Sequence, residues 1–388
     1  MKKIGVWFIL MTMIMTMFAP VSNAKEESGP ELVESAKSAI LLERDTGEIL
    51  YEKNSGESLP PASMTKIMTM ILIMEALDEG KLKLNEKVRA SEYAASMGGS
   101  QIFLEPGEEM TVEELLKGVA VASGNDASVA LAERIAGSEA AFVKQMNQKV
   151  KELGLTNTKF QNTTGLPAND HYSTAHDMAV MAKELLKHEQ ITKYTSIYED
   201  YLRKGTDNEF WLVNTNKLVK FYTGVDGLKT GFTREAMYCL TATAKKDDMR
   251  VIAVVMGAET PKDRNADISA MLDYAFNHYE TESLYERHQP VDTLKNIRAA
   301  KTKVDVVTSE SVSVLKKKGQ TIENVDEKLV YNKNLTLPIQ KGETVGTLTI
   351  TSNGKPLSKT NVVVNEAVEE AGVWTLFKRS MSEMVKQR

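Results

Sequence analysis

The sequence predicts an α+β protein in which an antiparallel sheet is flanked by helices, followed by a small all-β sandwich and a terminal amphipathic helix. Three observations predict it. Apolar strand-like runs stand near residue 40 and again between 228 and 256, with helical spacing between them. From about Pro290 the chain turns to short alternating runs rich in Val, Thr and Lys. The last stretch repeats apolar residues at helical spacing among basic ones.

Taken in order, Met1-Lys2-Lys3, the apolar run Ile4 to Phe18 and the small residues of Val21-Ser22-Asn23-Ala24 read as a secretory signal over residues 1–24, cleaved after Ala24. An uncleaved anchor is the alternative, although the apolar run is short for a span. Ala39 to Glu43 and Ile49 to Tyr51 flank Asp45-Thr46-Gly47 as a hairpin. Helices follow at Thr65–Asp78, Val112–Ala122, Asp126–Ala136, Glu139–Leu153 and Ala175–Leu186, and Thr111 with Glu114 forms a capping box for the second. Strands return at Leu228–Thr233, Tyr238–Ala244 and Arg250–Met256, and a helix from Lys262 to His278 closes the region. Strands at both ends imply one sheet closed by the two ends of this region rather than a βαβ repeat.

The sandwich strands are expected at Val304–Val307, Val312–Val314, Leu335–Leu337, Leu348–Ile350 and Val362–Val364, with Asn353-Gly354 as a hairpin turn. Between Ala371 and Arg388 the apolar residues include Trp374 and Phe377 beside Lys378, Arg379, Lys386 and Arg388, the pattern of a helix lying in a membrane surface. Packing on its own domain is the other reading. The expected division is 1–24 signal, 25–285 catalytic domain, 286–365 β domain and 366–388 membrane-associating helix.

The 388 residues carry 48 Lys+Arg against 53 Asp+Glu, a formal charge of -5. Removing Lys2 and Lys3 with the signal leaves -7. No basic footprint for nucleic acid exists. One cysteine, Cys239, excludes an internal disulfide framework, and five histidines without an HExxH pairing argue against a metallohydrolase.

Chemistry concentrates in three short groups. In Pro60-Pro61-Ala62-Ser63-Met64-Thr65-Lys66, Lys66 stands one helical turn after Ser63 and on the same face. A serine hydroxyl needs a neighbour to take its proton, and a lysine among apolar residues can serve because desolvation penalises its ammonium form. The helix start also favours negative charge near Ser63. Alone, this pair is a weak signal, and a capping serine followed by a surface lysine is the better reading of it by about ten to one. Ser123-Gly124-Asn125 between two helices and Lys229-Thr230-Gly231 opening a strand change the reading, because the three groups together, in this order, mark serine β-lactamases and penicillin-binding proteins. His171 and His176 read as turn and helix-start residues, Met64, Met68, Met70 and Met74 as core packing, and Cys239 as a buried strand residue.

At these residues the chain resembles the low-molecular-mass penicillin-binding proteins, the serine-type D-alanyl-D-alanine carboxypeptidases with a DD-peptidase/β-lactamase-like catalytic domain. Phe160 to Leu166 and Ser173 to Ala179 look like further segments of that family, and Ser-Gly-Asn is its carboxypeptidase form of the middle group. Length and arrangement look nearest to the family's sporulation-associated member. The resemblance implies that Ser63 attacks the peptide bond between two D-alanines of a peptidoglycan pentapeptide stem, with Lys66 as base and Ser123 relaying a proton to the leaving group. It implies that Asn125 holds the substrate amide and that Lys229 and Thr230, helped by Arg264, hold the terminal carboxylate. The oxyanion would lie between the N–H groups of Ser63 and Phe232, and Gly231 would let the substrate backbone lie close along the strand. β-Lactams would be covalent inhibitors, the site would be exported to the outer face of the membrane or the wall, and no metal or organic cofactor is implied. A secreted β-lactamase and a catalytically silent wall-binding protein are the competing readings.

Overall fold

The computed structural model describes residues 30–296 and 298–386; the signal over 1–24 lies outside the described residues. β1 (Ser38–Glu43) and β2 (Ile49–Lys53) form the hairpin expected around Gly47. Two short ribbons lie among the helices, β3 (Lys87–Arg89) with β4 (Glu109–Thr111) and β5 (Glu199–Leu202) with β6 (Phe210–Val213). β7 (Val225–Thr233), β8 (Met237–Lys246) and β9 (Met249–Ala258) complete a five-stranded antiparallel sheet in the order β2-β1-β9-β8-β7. β1 pairs with β9 across more than two hundred residues of chain, Ser38 opposite Met256 and Glu43 opposite Val251. The closure by the two ends of the region therefore forms as expected.

Strand alternation sets the layers. Ile40 and Leu42 join the core beneath the central helices, while Ala39 and Leu41 join a second core beneath the helix Pro261–His278. The sheet is covered on both faces, which is why its inner strands read as continuous apolar runs rather than alternating ones. Helices Val112–Val121, Asn125–Ala136, Glu139–Glu152 and Ala175–Leu185 lie within one residue of expectation, and Thr111 makes the capping box with Glu114. At the centre, the helix Lys66–Asp78 buries nearly every side chain, so it is apolar all round rather than amphipathic. Met64, Met68, Met70 and Met74 are all in that core.

Beyond residue 278 the chain is strand-rich: β10 (Tyr279–Tyr285), β11 (Pro290–Lys295), β12 (Lys303–Thr308), β13 (Val312–Lys317), β14 (Val325–Tyr331), β15 (Thr344–Ser352) and β16 (Lys355–Val364). They make a five-stranded sheet β11-β12-β16-β15-β14 and a ribbon β10-β13 around their own cluster of Val304, Val306, Val314, Leu348, Ile350 and Val362. Asn353-Gly354 turns β15 into β16 with both residues at positive φ, +49° and +77°. One expectation fails: Leu335-Thr336-Leu337 is not a strand, and the unforeseen β14 takes the edge position. The first run meets Pro338, which has no N–H to give to a ladder. The edge strand carries Asp326, Glu327 and Lys328, whose charges hide its pattern.

The helix Val373–Lys386 follows, with Val373, Trp374, Phe377 and Met381 all exposed. Arg379 ties it to the β region by donating to the carbonyls of Ala299 (2.6 Å) and Ala300 (2.8 Å). Among the described residues no helix is long and apolar enough to cross a membrane.

Candidate active site

Ser63 sits in a 3₁₀ turn, Ala62–Thr65, that runs into the helix beginning at Lys66, so the two residues face one another across a single tight turn. Ala62 takes φ +47°, an uncommon conformation for a residue with a Cβ, and so bends the chain sharply into the turn. Two glycines hold it from either side. A Cβ on Gly231 of β7 would stand 2.7 Å from the carbonyl oxygen of Pro61, and one on Gly165 only 1.8 Å from that of Ala62. The close approach at Gly231 is thus to the turn that carries Ser63, a reason that the strand pattern alone did not supply.

Lys66 is fully buried, and its Nζ lies 3.1 Å from Ser63 Oγ, 2.6 Å from Asn125 Oδ1 and 2.8 Å from the Thr164 carbonyl oxygen. The orientation of the Asn125 amide follows from its other end, since Nδ2 donates to the Gly98 carbonyl at 2.6 Å. Two of the three neighbours of Nζ can therefore only accept. A neutral amine satisfies this geometry by donating to both and presenting its lone pair to the Ser63 hydroxyl. Electrostatics favours the same state. Burial is the largest cause pushing the Lys66 ammonium well below its ordinary pKa, the positive charge of Lys229 adds to it, and Asp126 opposes it.

Asp126 acts as a structural anchor as well. Its buried carboxylate accepts from the N–H groups of Ile102 (3.1 Å) and Leu104 (3.0 Å), drawing the loop before them against the start of the helix Asn125–Ala136. Asn125 N–H in turn donates to Ser100 O at 2.7 Å. Ser123 precedes this helix at φ +63°, and its buried hydroxyl has no hydrogen-bond partner among the described residues. A strained backbone presenting an unsatisfied hydroxyl is a combination that concentrates at functional sites.

On the opposite wall, Lys229 is buried in β7 with Nζ donating to Thr230 O at 3.1 Å. Burial, then the charge of Arg264, lowers its pKa to about 7. Arg264 is itself buried on the helix Pro261–His278 and bonds through its guanidinium to Asn265 Oδ1. It reaches Lys229 through its field rather than through a contact. Thr230 Oγ1 donates to Thr215 Oγ1 at 2.7 Å, and Phe232 is exposed and stacks on Tyr238 at 4.4 Å between ring centroids. His171 lies outside the chemistry. Its Nδ1 accepts from the Gln161 N–H at 3.2 Å, so the proton is on Nε2, which faces Thr65 Oγ1 at 2.8 Å, and burial lowers its pKa to about 4.

Ser63, Lys66 and Asn125 thus meet by hydrogen bonds, while Lys229 is coupled to Lys66 by charge. Sequence reasoning missed Thr164, Gly165, Thr215 and Asp126. The run Asn162-Thr163-Thr164-Gly165 did carry a turn signal: Asn162 Oδ1 accepts from Thr164 N and Gly165 N, and Gly165 stands at φ +84°.

Residues 23–260 match the family described as D-alanyl-D-alanine carboxypeptidase, and residues 279–370 match the penicillin-binding protein 5 C-terminal domain. Over 388 residues the chain is 58% identical to D-alanyl-D-alanine carboxypeptidase DacF of Bacillus subtilis, covering 100% of both. It is 37% identical over 363 residues to DacC of Escherichia coli, 92% of this chain and 90% of that one. Penicillin-binding protein 5 of Haemophilus influenzae superposes with a TM-score of 0.67 at 32% identity, covering 87% of this chain and 98% of that one. Penicillin-binding protein D2 of Listeria monocytogenes, solved in its ampicillin-bound form, gives 0.55 at 33% identity, covering 64% of this chain and 100% of that one. A match across the whole length, joined to a site built for an activated serine, has one meaning: this chain belongs to the D-alanyl-D-alanine carboxypeptidase family and is a serine-type enzyme of that specificity.

Proposed function

We propose that the enzyme removes the terminal D-alanine from peptidoglycan pentapeptide stems through an acyl-enzyme on Ser63, and that β-lactams trap the same serine. The observation that carries this reading is a fully buried Lys66 amine 3.1 Å from Ser63 Oγ, with both other neighbours restricted to accepting. Lys66 takes the Ser63 proton as Oγ bonds to the carbonyl carbon, and the backbone N–H groups of Ser63 and Phe232 hold the oxyanion. Collapse breaks the C–N bond, and the leaving D-alanine amine receives a proton through Ser123, whose hydroxyl is otherwise unpaired. Asn125 positions Lys66, and the second hydrogen on its Nδ2 bonds the substrate amide. Lys229, Thr230 and Arg264 hold the terminal carboxylate. Water then releases the acyl group, with Lys66 again as base.

The supporting division of labour is 25–285 for chemistry, 286–365 as a spacer, and 366–388 for attachment to the outer face of the membrane. The exposed Trp374 and Phe377 beside Lys378 support the last part. Mass spectrometry after brief penicillin exposure tests the nucleophile, with acylation expected on Ser63 and D-alanine release from a pentapeptide lost in Ser63→Ala. Equal release by both proteins refutes the assignment. Turnover of nitrocefin instead of one-for-one trapping would mark a β-lactamase. Truncation after Glu370 is expected to free the protein from membranes, and unchanged sedimentation would rule the anchor out.

A further inference from the structure

Ser63 and Lys66 can act together only if the turn that carries Ser63 stays in register with the segment that holds the Lys66 amine. Side chains of that turn and of the helix after it reach the segment 161–165 at three places. Thr69 Oγ1 donates to Thr163 O at 2.7 Å, and Lys66 Nζ donates to Thr164 O at 2.8 Å. The third link runs through a side chain that touches no reacting atom. His171 is buried, its Nδ1 accepts from Gln161 N–H at 3.2 Å, and its Nε2–H donates to the buried Thr65 Oγ1 at 2.8 Å. Thr65 ends the 3₁₀ turn Ala62–Thr65 and adjoins Lys66.

The backbone beside His171 makes a parallel set of links. Leu59 and Ser173 exchange hydrogen bonds of 2.8 and 3.0 Å, and Lys159 and Tyr172 exchange bonds of 3.0 and 3.1 Å. The segment 171–173 thus pairs both with the lead-in to the Ser63 turn and with the chain just before 161–165. Its backbone bonds stop short of the turn itself, since Pro60 and Pro61 have no N–H to give. The His171 ring stands edge-on to buried Phe160, with centroids 5.7 Å apart at 72°. Packed on one side and bonded at both nitrogens, it is a rigid spacer between the two segments.

We infer that His171 is a positioning residue for acylation: through one ring it fixes Thr65, and with it the Ser63 turn, at a set distance from the segment whose Thr164 carbonyl holds the Lys66 amine. The inference rests on the proposed roles of Ser63 and Lys66 and adds the residue that sets their register. The effect falls on the acylation step rather than on initial binding. Among the described residues, neither His171 nor Thr65 bonds to Asn125, Lys229 or Thr230, the proposed substrate holders.

The test uses the full chain and single-turnover acylation by a labelled penicillin over a range of concentrations, which separates Kd from the rate constant of the acylation step. Thr65→Val removes the acceptor and keeps the shape. It is expected to slow the step about tenfold with Kd unchanged, short of the ~100-fold cost of a misplacement of about 1 Å because Gly165 still packs on Ala62. Thr65→Ser keeps the hydroxyl and restores most of the rate. His171→Phe keeps a flat ring without its nitrogens and slows the same step. The double variant is no slower than the slower single one, because both changes break one shared bond. Gly137→Ala, destabilised away from the site, keeps the wild-type rate and so separates lost stability from lost register. An unchanged rate in Thr65→Val, a loss that Thr65→Ser does not repair, full additivity in the double variant, or a change confined to Kd overturns the inference and leaves the site assignment intact. If His171→Phe fails to fold, the two Thr65 variants decide by themselves. Wild-type acylation at a residue other than Ser63 overturns the site assignment and this inference together.

Discussion

Replacing Gly165 by alanine tests the packing that places Ser63, the proposed nucleophile. The added Cβ would stand 1.8 Å from the Ala62 carbonyl oxygen and 2.2 Å from its carbon, where real Cβ contacts do not fall below 3.0 Å. One backbone must therefore retreat by at least about 1.2 Å, and the segment that carries Ser63 is one of the two. Misplacing a reacting group by about 1 Å costs on the order of 100-fold in rate. The left-handed backbone of Gly165, φ +84°, adds roughly 1–2 kcal/mol against any residue with a Cβ. Gly137→Ala separates the two effects. Gly137 has φ +81° at the end of the helix Asn125–Ala136, and nothing lies within 4 Å of its added Cβ, so it carries only the backbone cost. The assay is the second-order rate of Ser63 acylation by a labelled penicillin, measured beside chemical denaturation. Gly165→Ala is expected to slow acylation about 100-fold while still unfolding cooperatively. Gly137→Ala is expected to lose roughly 1 kcal/mol of stability and almost no rate. Acylation of Gly165→Ala at the wild-type rate would refute the claim that this contact sets the serine.

Three further outcomes follow from the charges of the site and its surroundings. As the proposed carboxylate anchor, Lys229 would act in its protonated form, and its pKa is lowered to about 7, so KM for a D-alanyl-D-alanine peptide should rise through that pH, approaching tenfold per unit above it; a flat KM on both sides of neutrality would sink the assignment. Asp126→Asn removes the charge that holds the Lys66 pKa up, so the acid limb of the acylation profile should move to lower pH, and an unmoved limb would show that the two groups are not coupled. His171 has a pKa of about 4 in the folded protein against an ordinary value near 6.5, so below that ordinary value the unfolded chain binds more protons. Stability should fall as pH drops from about 6.5 to about 4, by roughly 3 kcal/mol from this group, and level off beneath. Denaturation of His171→Gln over the same range should lack that slope; an unchanged slope would assign it to other groups.

Much of the architecture is legible residue by residue. The helix boundaries, the Thr111 cap, the Asn353-Gly354 turn and the three-residue step from Ser63 to Lys66 are local properties, set by spacing, capping and the conformational freedom of a few side chains. The edge strand β14 was hidden for the opposite reason, because an edge position is decided by its neighbours and its charged residues carry no burial pattern. The candidate site divides along the same line. Its serine, lysines and asparagine could be picked out from motif order alone. That Asn125 would bond Lys66 across 59 positions, Thr164 across 98, and Thr230 the unforeseen Thr215, was decided only when the helices met the sheet. Burial and electrostatic field at one amine sum over groups scattered through the whole chain, and no window of sequence contains them. The residue types were written in the chain; the state of Lys66, the clamp of Gly165 and Gly231 on the Ser63 turn, and the bonds of His171 to Thr65 and Gln161 belong to the tertiary structure.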